Sequence, residues 1–121
     1  MTYLLVGAGG AIGAMLRYFV STLIPAAFPY ATMVINIGGS LAMGLLIGLL
    51  ARTLPPMQEE IRLFVAVGIL GGFTTFSAFS LDAVTLWERG DLSGAGLYVV
   101  ISVVVSILAL IAGLTLTRIG A

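Results

Sequence analysis

Four long apolar stretches divide the chain, and the residues between them are of the kind that end helices. The runs extend over Thr2 to Ile24, Ala31 to Ala51, Ile61 to Trp87 and Ala95 to Leu116. Each is close to or above the roughly 20 residues that an α-helix needs to cross a hydrocarbon core of about 30 Å. Pro25 and Pro29, then Pro55 and Pro56 with Glu59 and Glu60, then Glu88, Arg89, Gly90 and Asp91 stand between them as turn-forming or charged clusters. The pattern predicts an all-α integral membrane protein of four transmembrane helices, with spans at about 2–24, 31–51, 61–87 and 95–116 in one domain over residues 1–121. No long linker, low-complexity tract or clear repeat interrupts that reading.

Composition narrows the chemistry. Of 121 residues 60% are hydrophobic and 8% charged, and the mean hydropathy is +1.22, so four spans and their short loops leave no room for a soluble domain. The sequence has no Cys and no His, which removes disulfides, zinc and copper sites, thiol nucleophiles and the usual general base. An intramembrane enzyme built on Ser77 or Ser80 would find neither His nor Lys as its base, and no enzyme is expected. The formal net charge is zero, which gives no electrostatic reason to expect nucleic acid. The opening MTYLLVGAGG lacks a basic leader region and belongs to the first span.

Charge leaves the orientation open. Arg52, Arg62 and Arg118 fall on one side of a four-span topology, Arg17 and Arg89 on the other. Such a split carries almost no positive-inside signal. Either a small protein simply has few charges, or the same chain inserts both ways and pairs with itself upside down. Small residues recur every four positions at Gly9 and Gly13, at Ser40, Gly44 and Gly48, and at Gly68 and Gly72. Each series makes a flat stripe on which another backbone can pack closely.

Several polar residues within the spans are harder to assign to packing. Asn36 lies near the centre of the second span with Thr32 one turn earlier, and an amide facing lipid would leave hydrogen-bonding positions unsatisfied. In the fourth span Tyr98, Ser102 and Ser106 place hydroxyls at successive turns, a line of about 12 Å. Serines can bond back to their own helix and an Asn can join two helices. The shared register favours a lined path. Amides and hydroxyls without Lys or a central Arg suit an anion that passes rather than stays. The stretch GGFTTFSAFS at 71–80 adds Phe73, Phe76 and Phe79, whose positive ring edges can line an anion path without ionising. Its glycines and threonines weaken helix propensity, glycine by about 1 kcal/mol relative to alanine. The third helix is therefore expected to be broken at its centre, freeing carbonyls for which a monovalent cation is a suitable partner.

These residues resemble the CrcB, or Fluc, family of small bacterial fluoride channels. The resemblance covers essentially the whole chain and rests on GGAIGAMLRY at 9–18, ATMVINIGGSLAMGLL at 31–46 and above all GILGGFTTFSAFS at 68–80. It implies an antiparallel, dual-topology homodimer in the bacterial inner membrane, with two pores that export cytoplasmic fluoride passively and relieve its toxicity. Phe76 and Phe79 match the family's phenylalanine box, and Asn36 its pore asparagine. Ser80, Tyr98, Ser102 and Ser106 match the polar track, with Thr32 beside it, and Arg17 matches an arginine at the aqueous vestibule. The resemblance also implies a structural sodium ion at the dimer interface, held by the backbone carbonyls of Gly71 and Thr74 in both subunits. Ala78 departs from the family pattern, where threonine is usual, and is given no pore role.

Two other functions fit four small spans. A proton-coupled exporter of the small multidrug type needs a carboxylate embedded in a span, and Asp82 is the one acid well inside. A membrane assembly subunit without transport of its own would make the polar lines incidental.

Overall fold

Helices form along all four apolar runs and mostly extend past them. The computed structural model describes residues 1–119, the last of them by its backbone alone. Here α1 spans Thr2–Leu23 and α2 spans Tyr30–Thr53. The third crossing is assembled from α3 (Gln58–Ile61), a π-helical segment (Arg62–Leu70), α4 (Gly71–Phe73) and α5 (Phe76–Glu88). The chain then continues into α6 (Leu92–Ile119). Four stretches, Thr2–Leu23, Tyr30–Thr53, Gln58–Glu88 and Leu92–Arg118, are long and apolar enough to cross a membrane. Among the described residues there is no strand.

The end of α2 and the start of α6 are set by capping rather than by the limits of apolarity. α2 stops where Leu54 turns left-handed (φ 46°, ψ 56°) with its amide on the Leu50 carbonyl at 2.9 Å. α6 starts three residues before the apolar run at Ala95 because Asp91 satisfies its first turn. The Asp91 carboxylate accepts from the Gly94 amide and its carbonyl from the Ala95 amide, both at 2.9 Å. The third crossing begins early on an exposed Arg62–Glu59 ion pair of 2.6 Å.

Two packing units result. α1 lies along the π-helical segment and α4, while α2 lies along α6, which also receives α5. Both contacts run on glycine because backbones meet there: a Cβ on Gly13 would come within 2.8 Å of the Phe73 nitrogen, and one on Gly44 within 3.0 Å of the Leu114 nitrogen. The apolar core joins α5 to α6 through Phe79, Leu86, Ala95 and Tyr98, with Phe28 and Met33 packed against it. Between α4 and α5, Thr74 (φ −79°, ψ 156°) and Thr75 (φ −151°, ψ 119°) are extended. This junction connects the two units and positions the site.

Candidate functional site: an uncharged groove at the Thr74–Thr75 junction

Two extended residues inside a membrane crossing leave backbone groups that must be satisfied within the protein. Side chains from two other helices do much of this. Asn36 on α2 donates from Nδ2 to the Thr75 carbonyl at 3.0 Å and accepts from the Thr75 amide at 2.8 Å through Oδ1. Its amide thus pairs with both backbone groups of one residue, as a neighbouring strand would. Gly39, one turn further along α2, makes the approach possible: a Cβ there would collide with Thr74 Cγ2 and stand 3.3 Å from the Phe73 ring. From α1, Arg17 Nε donates to the Gly72 carbonyl at 3.1 Å. The Leu70 carbonyl accepts from both the amide and hydroxyl of Thr74, each at 3.0 Å. Thr75 then caps α5 by accepting the Ala78 amide at 3.1 Å.

The same bonds divert amides from carbonyls of the third crossing, that of Gly71 among them. In a continuous helix the Thr75 amide would bond the Gly71 carbonyl, but Asn36 takes that amide. Gly71 is thereby deprived of its ordinary helical donor.

Beside the junction lies a groove of about 370 Å³. Asn36, Thr74, Thr75, Phe76 and Phe79 form one side, and Ser102 and Ser106 on α6 stand on its wall with Gly39, Ser40 and Met43 from α2. Among the described residues no charged side chain lines it. The two phenylalanine rings are 5.6 Å apart between centroids, with Phe76 77% exposed and Phe79 8%. The Oγ atoms of Ser102 and Ser106 are buried and have no hydrogen-bond partner among the described residues. Four other membrane hydroxyls bond back to their own helices: Ser80 to the Phe76 carbonyl at 3.0 Å, and Thr85, Thr115 and Thr117 likewise. A buried hydroxyl costs free energy unless bonded. Two of them one turn apart on an uncharged wall can donate to a small anion or its water.

Of the residues singled out by sequence, Asn36, Phe76, Phe79, Ser102, Ser106 and Thr74 converge on this groove. Tyr98 does not line it. Its fully buried ring stacks on Phe79 at 5.3 Å, and its hydroxyl donates to Asp82 at 3.0 Å. Thr32 and Asp82 instead line a second cavity of about 310 Å³ under the α1–α2 loop, with Arg89 and Phe28. Tyr98 and Phe79 therefore stand between two cavities. In the sequence Asp82, which reaches Tyr98, has a role only in the rival proton-coupled reading, and Thr75, whose backbone Asn36 grips, has none. The available signals were one carboxylate inside a span and a threonine just ahead of a new helix.

The family described as CrcB-like protein, Camphor Resistance (CrcB), matches residues 4–114. The chain belongs to this family. A relative from Rhodopseudomonas palustris (strain BisB5), named Fluoride-specific ion channel FluC, is 53% identical over 98% of this chain and 98% of its own. Proteins of the same name from Chelativorans sp. (strain BNC1) and Agrobacterium fabrum (strain C58 / ATCC 33970) are 54% and 52% identical. These cover 95% and 94% of this chain, and 94% of each relative. Membership places the groove, the aromatic pair and the orphan serines in a family whose named relatives are channels rather than enzymes.

Proposed function

We propose that the chain forms a fluoride-selective channel of the bacterial inner membrane, through which cytoplasmic fluoride leaves passively. The observation that carries this reading is the pair of buried, unpartnered hydroxyls, Ser102 and Ser106, on an uncharged groove flanked by Phe76 and Phe79. A small anion that bonds strongly to hydroxyl donors gains most from such a wall, and a wall without fixed charge releases it again. Relatives about half identical over nearly the whole chain bear the name of that function. Hydrogen fluoride crosses membranes neutral and dissociates in a less acidic cytoplasm, so an anion path driven by membrane potential is sufficient for export.

The channel in this proposal is a homodimer of opposite orientations with two pores. Each groove would be completed against the other subunit, since its polar wall cannot face lipid. The two extended residues serve as a functional break in the third helix, and Arg17, half-buried at its edge, belongs to the approach to the pore. The junction fits a structural monovalent cation: the Gly71 carbonyl has lost its helical donor to Asn36, and carbonyls of this kind hold sodium in discontinuous membrane helices. Gly71 and Thr74 would hold it, and the ion would supply positive potential between the pores and a tie between subunits.

The test is reconstitution in liposomes with a fluoride electrode. Fluoride should leave electrogenically under a potassium diffusion potential while chloride is retained. Comparable chloride release, or a requirement for a proton gradient, would sink the proposal; the second result would favour exchange at Asp82.

A further inference from the structure

Arg17 is embedded in a contact that its position near a helix end does not suggest. One face of α1 carries Gly9, Gly13 and Arg17 at successive turns, and all three meet backbone of the third crossing. A Cβ on Gly9 would stand 2.9 Å from the Gly68 Cα, and one on Gly13 would stand 2.8 Å from the Phe73 nitrogen. The next turn ends the rail with the Arg17 Nε bond to the Gly72 carbonyl, across 55 positions of sequence. The side chain is half-buried, and among the described residues no carboxylate pairs with it. Its guanidinium is instead committed to the carbonyl end of α4, where a helix carries partial negative charge.

The geometry points to Arg17 as a positioning residue for the conduction site: it fixes the α4 side of the Thr74–Thr75 junction through the Gly72 carbonyl, opposite the grip of Asn36 on Thr75. The two braces come from different packing units and hold residues three apart. Together they set the direction of the intervening Phe73 and Thr74 backbone, and through it the entry of Phe76 into the groove. A guanidinium whose main effect was to attract anions would act through its field. One that braces acts through a single bond. This inference deepens the channel proposal and rests on it for its transport readouts.

These roles separate in kinetics. Loss of an attracting field raises the fluoride concentration for half-maximal flux, leaves the saturated flux intact, and matters most at low ionic strength, where screening is weak. Loss of a brace lowers the saturated flux and leaves half-saturation and its salt dependence unchanged. Arg17→Gln is expected to lower saturated flux about tenfold, the scale of one lost hydrogen bond from a charged donor, with half-saturation within about twofold of wild type. A second variant keeps the arginine: replacing the Phe73 amide with an ester, by incorporating the α-hydroxy acid, weakens the Gly72 carbonyl as an acceptor. It should reproduce the loss, and it should add little in the Arg17→Gln background, because the two changes remove one interaction. If Arg17→Gln fails to assemble, the ester variant decides alone against a control ester at Val67. Hydrogen exchange at the Thr74 and Thr75 amides, which both variants keep, should quicken in either one, whether or not the protein carries fluoride. If wild-type liposomes conduct no fluoride, the channel proposal fails and exchange alone judges the brace. Unchanged saturated flux with a salt-dependent rise in half-saturation, a silent Phe73 ester, or unchanged exchange would overturn the inference.

Discussion

At the scale of single residues, the serines of α6 separate a lining role from a packing role. Ser102 is 4% exposed, and neither its hydroxyl nor that of Ser106 finds a partner among the described residues. Removing an orphaned buried hydroxyl is neutral or stabilising, because its unpaid desolvation disappears with it. Ser102→Ala and Ser106→Ala are therefore expected to keep or slightly raise the midpoint of thermal unfolding in detergent. Both should reduce fluoride efflux several-fold, as about 1 kcal/mol per lost donor requires. A stability loss above about 1 kcal/mol with unchanged efflux would place these hydroxyls in packing instead. Ser80 supplies the internal contrast: its hydroxyl already bonds the Phe76 carbonyl, so Ser80→Ala should affect efflux least.

At the scale of elements, the question is how a membrane crossing holds two extended residues. Asn36 satisfies both backbone groups of Thr75, and this makes α2 part of the third crossing's own hydrogen bonding. Asn36→Asp keeps the acceptor for the Thr75 amide but turns a carboxylate oxygen toward the Thr75 carbonyl. Asn36→Ala removes both bonds without adding charge. If the grip is what matters, both variants lose fluoride flux by about tenfold or more and unfold at lower temperature. If only charge in an anion path matters, Asn36→Ala conducts normally. The four crossings were legible in the sequence because apolar runs of bilayer length leave few alternatives. Their ends were less so: the run starting at Ala95 marks where the bilayer begins, whereas Asp91 decides where α6 begins. The nine-residue π-helical segment Arg62–Leu70 left no mark in the pattern, since RLFVAVGIL is equally apolar in either helical form. Extended backbone falls at Thr74 and Thr75, within a stretch of weak helix propensity. Candidate residues were found by polarity inside apolar runs, which brought Asn36, Ser102 and Ser106 to one groove. Polarity could not reveal that the Tyr98 hydroxyl turns from that wall to Asp82, because a four-residue spacing fixes a helix face and not the direction of a hydroxyl.

At the scale of the whole molecule, the chain alone is an incomplete solution to the bilayer. Most of its large apolar side chains are exposed, from Tyr3 and Leu4 on α1 to Leu108 and Ile111 on α6, which lipid accepts. Lipid does not accept the groove, where Asn36, Thr75 and two orphan serines stand together. In the proposed channel a second copy covers this wall, and the split of Arg52, Arg62 and Arg118 against Arg17 and Arg89 carries almost no positive-inside signal for one sense of insertion. The α1–α2 loop and the α2–α3 turn lie at opposite ends of α2, so one orientation exposes each to a single side. The sequence has no cysteine, so a single introduced thiol reports without background. Ala27→Cys and Met57→Cys are each expected to react with a membrane-impermeant maleimide on intact spheroplasts to roughly half of the total reached after lysis, the fraction that equal insertion of two orientations gives. A chain inserted one way would instead give near-complete labelling at one position and almost none at the other. That outcome would exclude the antiparallel homodimer and leave the groove to be covered by a parallel copy or a different chain.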